Sequence, residues 1–160
     1  MRTPYCSRII KVLLMAGLGL ALLGCQAGPR HVRGELPLVA LETLTLNQEL
    51  ATLQVAVRNV NDRHLELETL QLSLSLDKHQ AVSLAMVPVH MTIPPRGRDL
   101  FEIEVVLDSA SQKLLDELAQ RNRNNVAWEL ELVLDPPRAR QRAEATGFLH
   151  PVPGQPGRFR

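Results

Sequence analysis

From Leu70 to Asp77 the chain alternates without a break: Leu70, Leu72, Leu74 and Leu76 fall against Gln71, Ser73, Ser75 and Asp77. Successive side chains of an extended strand point to opposite faces, so this run has one apolar and one wet face, whereas a helix would scatter its leucines around the axis. The same period recurs along the chain. Leu53, Val55 and Val57 alternate with Thr52, Gln54 and Arg58, and Phe101, Ile103, Val105 and Leu107 with Glu102 and Glu104. Val126, Trp128, Leu130, Leu132 and Leu134 stand opposite Glu129 and Glu131, and a weaker final strand runs from Ala143 to His150. A chain built of such segments has to pair strands into sheets and bury their apolar faces together.

Where the alternation slips by one residue, a bulge or a crossing between sheets is expected, because a one-residue shift moves every later side chain to the other face. Three slips occur. One lies within the first strand, between Leu36/Leu38 and Leu41, Leu44, Leu46; one at Thr69, after Leu65 and Leu67 with Glu66 and Glu68 opposite; one at Pro88, between Val82, Leu84, Met86 and Val89, Met91, Ile93. Proline inside a strand run points to a sheet edge or a bulge. Polar or Pro/Gly-rich turns are expected at Asn59-Val60-Asn61-Asp62, at Asp77-Lys78-His79-Gln80, at Pro94-Pro95-Arg96-Gly97 and at Pro136-Pro137. One segment departs from the β period. Ser109 with Gln112 has capping-box spacing, and Leu114, Leu115 and Leu118 share a helical face, so a helix is expected over about 110–121. Six to eight short strands without βαβ alternation predict a mainly β fold, an immunoglobulin/fibronectin-III-like antiparallel sandwich of about seven strands with one short helix.

The N-terminus obeys other rules. Arg2, Arg8 and Lys11 precede or interrupt an apolar run from Ile9 to Leu23, followed by Gly24 and Cys25. A basic start, a short apolar stretch and small residues at the cut site mark a secretory signal peptide. The run is shorter than the ~20 apolar residues of a membrane span and holds Lys11. Ordinary cleavage prefers an A-x-A-like pattern, to which Leu22-Leu23-Gly24 is a poor fit. That stretch with Cys25 resembles instead the lipobox of bacterial lipoproteins. The resemblance implies cleavage between Gly24 and Cys25, a diacylglyceryl group on the Cys25 thiol and attachment to a membrane. Gln26 directly after the cysteine implies export to the outer membrane, periplasmic face, over retention in the inner membrane. Residues 1–24 are then leader, 25–35 lipidated cysteine and polar tether, 36–150 the sandwich, and 151–160 (PVPGQPGRFR) a Pro/Gly tail expected to stay disordered.

Charge and cysteine count narrow the partners. The chain of 160 residues carries 18 basic and 17 acidic side chains, and loss of the leader removes three bases and no acid, leaving −2. No basic stripe is left to hold nucleic acid. Cys6 leaves with the leader and Cys25 is the anchor, so the exported domain has neither disulfide nor thiol chemistry. Its stability then rests on apolar burial, mostly leucine, with only Phe101, Trp128, Phe148 and Phe159 as aromatics.

The order of features from Leu36 to His150 resembles the late-embryogenesis-abundant type 2 family, also called the WHy (water-stress and hypersensitive-response) domain. The carrying features are the strand Leu53–Val57 running into the turn Asn59-Val60-Asn61, where the family often has Asn-Pro-Asn, and the alternating strand Leu70–Leu76. After them come a hairpin, a strand ending in Pro94-x-x-Gly97, a further strand, a short Leu-rich helix and the strand led by Trp128. Val60 stands where Pro is usual, and the hairpin after Gln80 lacks a frequent Gly. The resemblance implies a fibronectin/immunoglobulin-like sandwich and a part in desiccation or other envelope stress.

Residues suited to catalysis are scattered. His31, His64, His79, His90 and His150 show no ligand spacing, and neither a G-x-S-x-G nor an H-E-x-x-H motif occurs. They read as solvated surface histidines. Glu66/Glu68, Glu102/Glu104 and Glu129/Glu131 are i, i+2 pairs on the wet face of a strand rather than acid/base pairs. No enzyme activity, metal or other cofactor is expected. Two functions stay open: a membrane-anchored interaction or structural module acting on an envelope protein or surface, and a carrier of a lipid or small apolar ligand held between the sheets or under the helix.

Overall fold

The computed structural model describes residues 34–48, 50–135 and 140–160, so the expectations for Gly24, Cys25 and everything before Gly34 lie outside the described residues. The described strands are β1 (Leu38–Asn47), β2 (Leu50–Arg58), β3 (Leu65–Leu76), β4 (His79–Ile93), β5 (Arg98–Val106), β6 (Val126–Asp135), β7 (Gln141–Leu149) and β8 (Arg158–Phe159). A single described helix, α1 (Ser109–Ala119), stands between β5 and β6. One sheet has the order β5-β2-β1-β8 and the other β4-β3-β6-β7, with every pairing antiparallel. The chain changes sheet after β2, β4, β5 and β7. This is a mainly β, two-sheet sandwich with one short helix, as the alternation predicts.

The inner faces are those the period marks. Leu53, Val55 and Val57 of β2 join Leu70, Leu72, Leu74 and Leu76 of β3 and Leu130, Leu132 and Leu134 of β6 in one buried cluster. All three slips coincide with register shifts: one between Leu41 and Thr43 in β1, and two in the β3–β4 pairing, at Leu67/Thr69 and at Leu70/Leu72. In both of the latter the extra residue lies in β4, an edge strand, and they flank Pro88, which stands opposite Thr69. Trp128 pairs with Gly147, and a β-carbon there would come within 2.7 Å of the indole, so the ring occupies space that only glycine leaves free.

Five expectations need correction. In β1 the inward residues are Val39 and Leu41, while Leu36 and Leu38 are 54% and 58% exposed. The phase that reaches the core starts from Pro37, one residue later than the leucines suggest. The turn at Asp77 uses only Asp77 and Lys78, both at positive φ (47° and 69°), and His79 already opens β4; that is a two-residue hairpin whose twist matches its strands. Met86, placed with Val82 and Leu84 by the alternation, is exposed at a positive φ of 98° on the edge strand.

The fourth correction concerns the helix cap. Asp108, not Ser109, is the N-cap: its Oδ1 accepts from Ser111 N at 2.9 Å, while Gln112 Nε2 turns back to Leu107 O at 2.8 Å. Asp is as good an N-cap as Ser. The buried face is Ser111, Leu115 and Leu118, with Leu114 only partly buried.

The fifth correction is the tail, which packs as part of the sandwich. His150 and Arg160 exchange backbone bonds at 2.8 and 3.0 Å, Val152 N donates to Arg158 O at 2.9 Å, and Pro151 bridges Phe159. The segment is thus a hairpin whose second arm, β8, lies against β1 through Leu44↔Phe159 and Thr45↔Arg158. Phe159 is 1% exposed. Gly157 makes the approach possible: at φ 74° its oxygen accepts from Leu46 N at 2.7 Å, and a β-carbon would meet Leu46 O at 2.9 Å.

Candidate functional site

The strand directions give the sandwich two poles. At one lie Glu35, the 59–64 turn and the Pro94–Gly97 turn; at the other lie the Asp77-Lys78 hairpin, α1, the 120–125 loop and the C-terminal hairpin.

The family-like turn sits at the first pole, and its polar groups are spent inside the fold. Asn59 is fully buried. Its Nδ2 donates to Arg63 O at 2.6 Å, Pro94 O at 3.1 Å and Ile93 O at 3.3 Å, and its Oδ1 accepts from Asn61 N at 3.0 Å. One amide therefore ties the end of β2 to the end of β4. Asn61 makes a second clasp: its Nδ2 donates to Glu35 O at 2.8 Å and its Oδ1 accepts from Glu35 N at 2.9 Å. Arg96 N reaches Asn61 O at 3.0 Å, and Arg96 Nε pairs with Asp62 at 2.8 Å. Val60 is half-buried between the two asparagines. The turn thus fixes where the chain enters the sandwich, and Asn59 and Asn61 offer little to a ligand. Gly24 and Cys25, the other sequence-marked residues, lie outside the described residues.

At the second pole the polar residues bridge elements. His79 Nε2 contacts Asp108 Oδ2 at 2.5 Å, linking the start of β4 to the helix cap. Hydrogen bonds from His79 and from Ser111 hold the Asp108 carboxyl at about 2, against an ordinary 3.8. Asp77 accepts from Ala127 N at 2.9 Å and pairs with Arg123, fastening the 120–125 loop to the β3–β4 hairpin. His79 is therefore a surface histidine, exposed as the sequence suggests, that also makes a fold contact.

Helix α1 ends beside the C-terminal hairpin in a Schellman motif, with Asn122 N donating to Glu117 O at 2.9 Å and Arg121 N to Leu118 O at 3.1 Å. Between them lies a cavity of about 490 Å³. Pro151, Val152 and Pro156 supply apolar wall over the buried Phe159, and Arg121, Arg123 and Arg158 supply cationic groups. The Pro/Gly content of 151–160 hides it in the sequence, because composition alone reads as a bar to packing. The available signal was two glycines, Gly154 and Gly157, set to turn the chain between Val152 and Phe159.

Elsewhere the geometry is that of a wet sheet face. Ser73 and Ser75 floor a hollow of about 200 Å³ edged by Glu129, Glu131 and Glu144. Arg142 engages Glu131 at 2.6 Å and Glu144 at 3.5 Å. Gln54 Nε2 donates to Glu102 at 3.2 Å, and Glu66, Glu68 and Glu104 are exposed. Among the described residues no group of three His, Cys, Asp or Glu side chains could hold a metal ion. No helix among them is long and apolar enough to cross a membrane.

No protein-family profile matches the sequence, and no curated protein does. Solved structures do resemble it at a distance. The Arabidopsis thaliana protein At1g01470 is 10% identical, with 79% of this chain and 92% of that one covered at a TM-score of 0.49. A candidate late embryogenesis abundant (LEA) protein, At2g46140.1, is 12% identical over 90% of this chain and 84% of the other, at 0.45. A protein from Archaeoglobus fulgidus is 8% identical over 71% and 94%, at 0.44. These are distant likenesses of chain path. The fold rests on the strand pairing above.

Proposed function

We propose that this chain is a bacterial lipoprotein held to the outer membrane by acyl groups on Cys25, displaying a sandwich of the late-embryogenesis-abundant type 2 kind in the periplasm. The single observation behind the anchor is the Leu22-Leu23-Gly24-Cys25 sequence at the end of a short apolar run. Two or more acyl chains, at about 0.8 kcal/mol per buried CH₂, hold a protein to a bilayer stably where one holds it marginally. The family reading is supported by the agreement between the quoted feature order and the observed element order, from the Asn59–Asn61 turn to the strand led by Trp128. On this reading the domain is a non-catalytic interaction or structural module acting on an envelope protein or surface under desiccation or other stress. The acidic i, i+2 pairs face solvent, and the buried asparagine is saturated by backbone.

The anchor is tested by growing cells with a tagged fatty acid and comparing the wild type with Cys25→Ser. The wild type incorporates the label and fractionates with the outer membrane; the variant incorporates none and accumulates unprocessed. If Cys25→Ser still matures and stays with the membranes, the lipoprotein reading is wrong. The second reading, a ligand carrier, is favoured by the cavity beside α1. Native mass spectrometry of protein extracted from the envelope separates the two, since a retained small molecule belongs to the carrier.

A further inference from the structure

We infer that the cavity between the end of α1 and the C-terminal hairpin is a binding site for a small anion with an apolar body, a carboxylate or phosphate on a hydrocarbon or ring. The inference goes beyond the anchored-module reading and does not depend on it. The cavity's roughly 490 Å³ is within the size of small-molecule sites. Its lining contains three arginines and no carboxylate. The arginines differ in what holds them. Arg123 is paired with Asp77, which cancels its charge and fixes its position. Arg158 Nη1 donates to the neutral Gln155 Oε1 at 3.1 Å, so it is oriented with its charge intact. Arg121 has no acidic partner among the described residues. Two uncompensated guanidiniums therefore face a hollow that supplies no anion of its own, and guanidinium forks match carboxylate and phosphate oxygens.

The position of Arg121 adds a second observation. It occupies the left-handed residue of the Schellman motif, at φ 62°, where glycine is the usual occupant because it has no β-carbon. A side chain is thus carried where the backbone favours none, at a residue that lines the cavity. The opposite wall is suited to the apolar part of a ligand. Pro151, Val152 and Pro156 are held by the hairpin's own ladder and by the Gly157–Leu46 bond, so their surface is formed before anything binds. An inorganic anion would leave that wall unused, and a neutral apolar molecule would leave the guanidiniums unpaired.

The test uses the full chain, titrated by calorimetry with phenyl phosphate, inorganic phosphate and phenol. Phenyl phosphate is expected to bind about tenfold or more tighter than either fragment. Arg121→Gln and Arg158→Gln should each weaken it about tenfold at unchanged thermal midpoint, as loss of a charged hydrogen bond does. Ala119→Trp, which fills the cavity from the helix side and keeps every charge, should abolish binding. The inference is overturned if phenyl phosphate fails to bind, if phosphate or phenol binds equally well, or if Ala119→Trp leaves the affinity unchanged. Binding that is indifferent to both glutamine variants overturns it too.

Discussion

Phe159 stands next to last in the chain, where a substitution would ordinarily be silent. The structure makes it a core residue. Its ring is 1% exposed, its strand pairs with β1 through Leu44, and Pro151 bridges it from the other arm of the hairpin. Truncating a buried phenylalanine to alanine costs about 3–5 kcal/mol. A terminal hairpin can undock instead of enclosing a void, which caps the loss at the free energy of docking, so the lower end, about 3 kcal/mol, is expected for Phe159→Ala. The assay is urea unfolding of residues 32–160 followed by the fluorescence of Trp128, the chain's one tryptophan and 7% exposed. With an m-value of about 1.5 kcal/mol/M the midpoint should fall by about 2 M. Arg160→Ala, an exposed neighbour, should leave it in place. A loss below about 0.5 kcal/mol, the scale of surface changes, would mean that 151–160 does not pack and that the cavity beside it has no wall.

Three further outcomes follow from other parts of the fold. Leu118→Ala should cost at least ~2 kcal/mol in the same unfolding assay, because α1 is too short to persist without its buried face, while Asp116→Ala on the exposed side should be near neutral. Asn59→Ala removes the donor to three backbone carbonyls in a buried place, so a loss of about 3 kcal/mol is expected, with faster amide exchange at Asn61, whose N–H donates to the Asn59 Oδ1. The Asp108 carboxyl is held at about 2, below its ordinary 3.8, first by His79 and then by Ser111. A depressed carboxyl contributes stability that is complete above its unfolded value and lost as pH falls through the folded one. Stability should therefore drop between about pH 4 and pH 2, and Asp108→Asn should flatten that part of a urea-midpoint series taken at steps of pH.

Much of the fold was legible because its strands are half-buried. Each buries one face, so burial writes itself into sequence as a period of two, and a bulge writes itself as a slip, as at Leu67/Thr69. What period cannot carry is the identity of the partner. The Asn59 bonds join residues 34 and 35 positions apart, and nothing in the turn's own sequence says which carbonyls it will meet. Asn59, Val60 and Asn61 were visible as a motif and not as a clasp for Glu35. Leu36 and Leu38 misled because leucine was equated with inward, when a sheet end can leave two of them in solvent. The helix is capped one residue earlier than the Ser109–Gln112 spacing predicts, by Asp108, whose second oxygen meets His79, far away in sequence. The tail was lost for a different reason. Proline and glycine suppress β propensity on average, but in 151–160 they serve specific backbone positions, and a composition rule cannot separate a chain that refuses to fold from one that must turn twice in ten residues.

The clasp and the cavity bear on each other through the direction of β1. Asn61 holds Glu35 at the pole where the chain enters, and β1 runs from there toward the other pole, where β8 and the cavity lie. The ten residues of β1 separate the two poles by about 33 Å. The entry pole has its hydrogen bonds closed, and the two guanidiniums without an acidic partner among the described residues lie at the other pole. The clasp and the cavity therefore lie at opposite ends of β1, and a substitution at Asn61 should loosen Glu35 without disturbing the hairpin that holds Phe159.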